Sequence, residues 1–218
     1  MSIVKGQTHF QMGIKNIEQL EVILEQNPEM VGIAFVGRSN VGKSSLINCL
    51  FGKKTAKTSK TPGRTREINI FSFETDEANE RDNGTTPFIL FDLPGYGHAE
   101  VSKAMAKNWD MLMTEFFAKL PKSIAILNIQ DSRHPNQKVD QHFHQFLKNQ
   151  GLTTHLILNK IDKLKKQKEK SQLQKEIKKI KEYYLWVDKF IKVSAESKEG
   201  VDLLEKEIID YCLEQSHS

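Results

Sequence analysis

The feature that most limits what this chain can become is the stretch Gly37, Arg38, Ser39, Asn40, Val41, Gly42, Lys43, Ser44. It is set between an apolar run at residues 31–36 and a segment, 45–50, with no helix breaker. The apolar run reads as a buried strand and the segment after it as a helix. A glycine-spaced loop between them turns backbone N–H groups inward, and the helix N-terminus adds partial positive charge, so the loop is a cradle for phosphate oxygens. Gly37 and Gly42 allow close backbone approach. Lys43 is placed to reach β- and γ-phosphates and the Ser44 hydroxyl to ligate a bridging Mg²⁺, with Ser45 completing the binding stretch. Such a loop announces a nucleotide without saying which, so the base must be read further along the chain.

The rest of the chain alternates strand and helix signals. Strands are expected at 31–36, 67–73, 87–91, 123–129, 154–158 and 190–193, six in all, and helices at 44–50, 101–119, 136–149 and 201–213. Leu173, Ile177, Ile180 and Tyr184 put one apolar face on a further, lysine-rich helix. Residues 67–73 alternate as a half-buried strand, and residues 74–86 are polar throughout, an exposed loop. Residues 1–30 read as an irregular arm followed by a short helix capped by Asn16, packed on a single domain at 31–218. The pattern predicts an α/β fold, a mostly parallel sheet covered by helices on both faces, with ligands at the C-terminal ends of its strands.

Composition narrows the setting. Two cysteines, Cys49 and Cys212, are too few for a disulfide framework, and seven histidines show no metal-ligand spacing. Apolar stretches are strand-sized and the first ten residues lack a signal-peptide core, so a soluble, intracellular protein is expected. The net charge of +4 is uneven: residues 52–66 hold six basic side chains and no acid, and residues 160–182 hold ten lysines against four acids. Such blocks suit an anionic partner such as RNA, or are simply a solvated lysine face.

Two further motifs sit at strand tips. Asp92-Leu93-Pro94-Gly95 follows the strand at 87–91, where a carboxylate can hold Mg²⁺ through water and the Gly95 N–H can sense a γ-phosphate. Asn159-Lys160-Ile161-Asp162 follows the strand at 154–158, and here the chemistry picks the base. A carboxylate accepts two hydrogen bonds side by side, and guanine offers N1–H and its 2-amino group side by side, whereas adenine has no such pair. Asn159 would tie this segment to the phosphate loop, the Lys160 stem would cover the base, and Ser194-Ala195 would offer a backbone N–H to the guanine carbonyl.

G-R-S-N-V-G-K-S-S-L-I-N, K-T-P-G-R-T-R, D-L-P-G-Y-G, D-S-R-H-P and N-K-I-D together resemble the translation-factor-related GTPases. In detail they resemble the EngB (YihA/YsxC) family of small bacterial ribosome-assembly GTPases, over residues 35–195. The resemblance implies a Ras-like fold with one antiparallel edge strand and a cytoplasmic protein that binds GTP and GDP; a monomer with slow intrinsic hydrolysis is expected. It also implies a role with rRNA and ribosomal proteins in maturing the large subunit, and a link to cell division. It places Gly63 and Thr65 in switch one, Thr65 closing on Mg²⁺ and the γ-phosphate. Ras-type enzymes orient water with a glutamine after the switch-two glycine; this chain has Tyr96 there. Related enzymes without that glutamine use an asparagine at the position of Asn40 to hold K⁺, while Asn40 equally suits tight loop angles; Arg38 and Arg64 are rival sources of positive charge. A GTPase switch and a nucleotide-sensing binding module with incidental hydrolysis both remain open.

Overall fold

The computed structural model describes residues 1–57, 67–76, 87–96 and 103–217, the side chains of 103–109 excepted. Its strands are β1 (His9–Ile14), β2 (Gly32–Gly37), β3 (Ile68–Phe73), β4 (Phe88–Asp92), β5 (Ile124–Asp131), β6 (Thr154–Asn159) and β7 (Lys189–Lys192). They form one sheet in the order β1-β3-β4-β2-β5-β6-β7. Every pairing from β4 through β2, β5 and β6 to β7 is parallel. β3 runs antiparallel to both β4 and β1.

The mostly parallel sheet with antiparallel pairing at one edge is therefore as expected, but it has seven strands where the sequence suggests six. The additional strand is β1, whose stretch reads as an irregular arm. It lies at the sheet edge with His9, Phe10 and Gln11 exposed and only Ile14 buried, so it has neither the alternation nor the apolar run that marks a strand. Backbone pairing with β3 supplies the order that its side chains do not. β3 is covered on both faces rather than half-buried. Ile68 and Ile70 enter one core and Phe71 and Phe73 the other.

The helices are α1 (Ile17–Gln26), α2 (Lys43–Phe51), α3 (Lys103–Lys119), α4 (Lys138–Lys148), α5 (Gln167–Tyr183) and α6 (Val201–Ser216). Asn16 caps α1 by accepting the Gln19 N–H at 2.9 Å. α4 starts two residues later than residue 136 because Gln137 is its cap and Asp140 accepts the Gln137 N–H at 2.9 Å, a reciprocal capping box. One core packs α2 and α6 on the sheet through Phe35, Leu46, Leu50 and Ile208, and the opposite one packs α1, α3 and α4 through Leu20, Phe116 and Leu147. Phe51 meets Phe35 and Phe73 edge-on at 6.1 and 5.0 Å; full burial of each such ring contributes about 2–3 kcal/mol. α5 packs Leu173, Ile177 and Ile180 against β6 and leaves its lysines exposed. No helix among the described residues is long and apolar enough to cross a membrane.

Candidate nucleotide site

Parallel pairing brings the strand tips to one edge of the sheet: Phe35 lies opposite Asp92, Gly37 opposite Ile129, and Asp131 opposite Asn159. The loop from β2 to α2 is built on that edge. A β-carbon on Gly37 would lie 2.4 Å from the Ile129 carbonyl oxygen, so the loop root tolerates no side chain. Gly42 has φ 92° and a β-carbon there would lie 2.5 Å from Asn159 Nδ2, so both conformation and space demand glycine. Asn40 is exposed and also left-handed, with φ 63°, a conformation asparagine tolerates better than most residues. Gly42 is the α2 cap and offers no side chain to the first-turn N–H groups, which suits an anion there.

Lys43 opens α2 and is only 9 % exposed; its Nζ donates to Asp92 Oδ1 at the tip of β4. Ser44 is half-buried, and its hydroxyl is hydrogen-bonded to none of the described residues. Val41 is buried and Ser45 exposed. Ser44 and Asp92 provide a hydroxyl and a carboxylate, an all-oxygen donor set of the kind that fits Mg²⁺. Gly63, Arg64 and Thr65 lie outside the described residues.

Asn159, Lys160, Asp162 and Ser194-Ala195 come together at one corner of the site. Asn159, fully buried at the end of β6, donates to the Val41 carbonyl at 3.0 Å, and its Oδ1 accepts the Lys160 N–H at 2.8 Å and the Ala195 N–H at 3.2 Å. One side chain thus ties the phosphate loop to both base-reading segments, although the Ala195 N–H, anticipated as a contact to the base, is given to Asn159. Lys160, at φ 67°, bends its chain so that Nζ donates to the Asn40 carbonyl and to Asp131 Oδ2. Burial alone would raise the Asp131 carboxyl, but hydrogen bonds from Arg133 and the Lys160 cation more than offset it and bring it down to about 2. Asp162 lies on the 3-10 turn Ile161–Lys163, where Ser194 Oγ donates to it at 2.6 Å and Lys163 Nζ at 3.0 Å. The Ser194 hydroxyl holds that carboxyl below the ordinary carboxylate range.

Two residues singled out by the sequence have their side chains committed to Asp140. Tyr96 is buried, stacked on Phe143 at 4.6 Å, and donates its hydroxyl to Asp140 Oδ1 at 2.8 Å. Burial pushes this phenol well above its usual range. The Arg38 guanidinium donates to Asp140 Oδ1 at 3.0 Å, Gln137 Oε1 at 2.6 Å and the His134 carbonyl at 2.9 Å, so its charge is committed there. Sequence reasoning missed the polar chain that receives them. Asn128 Nδ2 donates to the Tyr96 hydroxyl at 3.2 Å, Gln130 Nε2 donates to Asn128 Oδ1 at 3.0 Å, and Gln130 also contacts His144 Nε2 at 3.0 Å. His144 stacks on Tyr184 at 4.4 Å, and burial lowers its imidazole to about 4. The signal was Asn128 and Gln130, two amides inside the otherwise apolar run of β5. A separate cleft of about 1010 Å³ opens between Arg133, His134, Lys138, Lys163 and Lys168 and contains none of the phosphate-loop residues.

Fold and site together define a phosphate-loop GTP-binding domain. Residues 32–160, more than half of the chain, match the 50S ribosome-binding GTPase family. The probable GTP-binding protein EngB of Prosthecochloris aestuarii is 39 % identical over 180 residues, covering 82 % of this chain and 86 % of that one. Its counterpart from Petrotoga mobilis is 38 % identical over 189 residues, covering 86 % and 88 %. An Acidobacterium capsulatum EngB is 44 % identical over 131 residues, and the match spans 60 % of that protein. The crystal structure of a probable GTP-binding protein engB superposes with a TM-score of 0.64 at 26 % identity, covering 84 % of this chain and 100 % of that one. Aquifex aeolicus Era bound to GDP.AlF4- superposes with a TM-score of 0.65 at 25 % identity, covering 84 % and 57 %. The chain belongs to the EngB family of GTPases.

Proposed function

We propose that this GTPase converts GTP to GDP and phosphate with Mg²⁺ and acts, as a cytoplasmic monomer, as a switch on large-subunit ribosomal particles during assembly, a step linked to cell division. The observation that carries the reading is the Asn159 bond to the phosphate loop, which makes the base reader and the phosphate cradle one unit. Asp162 then takes guanine, because only guanine presents two adjacent donors. Ser44, Asp92 and Thr65 are the residues that would hold Mg²⁺, which would supply positive charge against the phosphates. Lys43 keeps its charge paired by exchanging Asp92 for a phosphate oxygen, and the Gly95 N–H senses the γ-phosphate.

The exposed lysines of α5 support an anionic partner, and Era, similar in fold, has been seen in complex with MgGDPNP and nucleotides of 16S ribosomal RNA. The buried position of Tyr96 favours a second reading, a nucleotide-sensing module whose hydrolysis is incidental, because its hydroxyl is committed to Asp140. Single-turnover GTP hydrolysis with and without large-subunit particles separates the two. A switch is accelerated by the particles, and its binding to them weakens steeply with salt; an unchanged rate leaves only the sensing module. K⁺ is the proposed source of the missing positive charge at Asn40. Hydrolysis is then faster in K⁺ than in Na⁺, and Asn40→Gly, which keeps the left-handed loop, removes the difference; equal rates in wild type reduce Asn40 to a loop-former.

A further inference from the structure

The segment that carries Gly95 runs on from β4 alongside the loop from β2. The Leu93 N–H donates to the Phe35 carbonyl at 3.1 Å, the Tyr96 N–H to the Gly37 carbonyl at 3.2 Å, and the Ser39 N–H returns to the Tyr96 carbonyl at 3.3 Å. Gly95 is therefore carried between two backbone anchors, one on the strand and one on the root of the phosphate loop. What settles the second anchor is a side chain on a different element. Asp140 Oδ1 accepts from Tyr96 Oη at 2.8 Å and from Arg38 Nε at 3.0 Å, while its other oxygen accepts the Gln137 N–H that starts α4. Asp140 is fully buried, and both of its side-chain donors adjoin the two segments that meet at Gly95: Arg38 directly follows Gly37, and Tyr96 directly follows Gly95. A single buried carboxylate thus clamps the start of the phosphate loop to the start of switch two.

We propose that Asp140 is a positioning residue for hydrolysis: by holding Tyr96 and Arg38 together it fixes where the Gly95 N–H points, and so how well the site distinguishes a γ-phosphate. A capping box alone needs only the Asp140 bond to Gln137; the bonds to Tyr96 and Arg38 are additional and reach across 44 and 102 residues of chain. A buried carboxylate left without those donors is strongly disfavoured, which is why the clamp resists rearrangement. Its outer side is also reachable. His134 and Gln137, which accept from Arg38, line the cleft between the start of α4 and α5. The proposal rests on the reading of Gly95 as the γ-phosphate sensor.

The test uses Tyr96→Phe, which removes the hydroxyl and keeps the ring stacked on Phe143. Affinities for GDP and for a non-hydrolysable GTP analogue are measured on the full chain, with single-turnover GTP hydrolysis. The expected result is GDP affinity within about twofold of wild type, with the analogue-to-GDP affinity ratio and the hydrolysis rate each lowered about tenfold, the size of one hydrogen bond. Asp140→Ala lowers both further, and adding Tyr96→Phe to it lowers them by much less than it does in wild type, because the Tyr96–Asp140 bond is already gone and only the Asn128 contact to the hydroxyl is left to lose. If Asp140→Ala does not fold, Tyr96→Phe decides alone. A Tyr96→Phe protein with wild-type ratio and rate overturns the proposal, as does one that loses GDP and analogue affinity equally, which is the mark of a merely structural bond. If the wild-type protein itself neither favours the analogue over GDP nor hydrolyses GTP, the reading of Gly95 is wrong and the proposal falls with it.

Discussion

Asp162 and Asp140 show two ways in which one residue type serves one site. Asp162 lies on a short turn at the rim, 14 % exposed along its side chain, with partners from Ser194 and Lys163 that are near in space and easily exchanged. Asp140 is fully buried, and its partners Arg38, Tyr96 and Gln137 leave it no room for a ligand. The net shifts are opposite in sign: the Ser194 hydroxyl holds Asp162 below the ordinary carboxylate range, while desolvation raises Asp140 despite its donors. A group that reads a ligand must be able to trade its partners for the ligand's donors at little cost. A group that holds the reader in place must not. Partner exchange, rather than charge or residue type, separates recognition from scaffolding here.

The comparison is most easily broken at Asp162. Xanthine carries a carbonyl where guanine carries its 2-amino group, so Asp162→Asn supplies the complementary donor and acceptor. The variant should lose GTP affinity by roughly two to four orders of magnitude and gain xanthosine triphosphate by a comparable factor. Its melting temperature should stay close to wild type because the side chain is at the rim. Competition against a fluorescent analogue measures both nucleotides, and wild-type GTP binding by Asp162→Asn would take the base reader away from Asp162.

A smaller effect tests the buried side. His144 titrates near 4 in the fold against an ordinary 6.5, because burial penalises its cation. Its neutral form is favoured in the fold, so its contribution to stability is whole above pH 6.5 and is lost as pH falls from there toward 4, by up to about 3 kcal/mol. Denaturant unfolding at pH 7 and pH 4.5 measures the loss, and His144→Phe, which keeps the stack on Tyr184, should flatten this slope even if it lowers stability overall. An unaltered slope in the variant would place the acid sensitivity elsewhere. The smallest effect concerns the outer hydroxyl of the same region. Tyr184 Oη donates to Asn136 Oδ1 at 3.0 Å from a half-buried position, so Tyr184→Phe should cost about 1 kcal/mol or less. It should leave the ratio of GTP-analogue to GDP affinity untouched. A change in that ratio would show that recognition extends further into the polar chain than the contrast between the two aspartates allows.

Much of the site was readable where neighbouring residues carry the geometry in their spacing. The glycines of the phosphate loop, the Asn16 cap and the apolar stripe of α5 all follow from local rules of backbone angle, helical period and hydrogen-bond complement. Local sequence says little where order comes from a neighbour. The edge strand His9–Ile14 buries almost nothing, so only its pairing with β3 makes it a strand. Tyr96 illustrates the same limit from the other side. Its position after Gly95 tells that a glutamine is absent, but which way the phenol points depends on Asp140, Asn128 and Phe143, three residues on two other elements.

By itself, then, the sequence determined the nucleotide class and the alternation of strands and helices from β2 onward, and it singled out the carboxylate proposed to meet the base, since each depends on residues within a few positions of one another. Only the tertiary structure decided that Arg38 and Tyr96 share one buried carboxylate, that amides inside β5 extend that chain to His144, and that the sheet has a seventh strand. The physical reason is the same in each case: a buried polar group or an edge backbone is stable only once a distant partner arrives to satisfy its hydrogen bonds, and neither the identity nor the direction of that partner is written in the residues beside it.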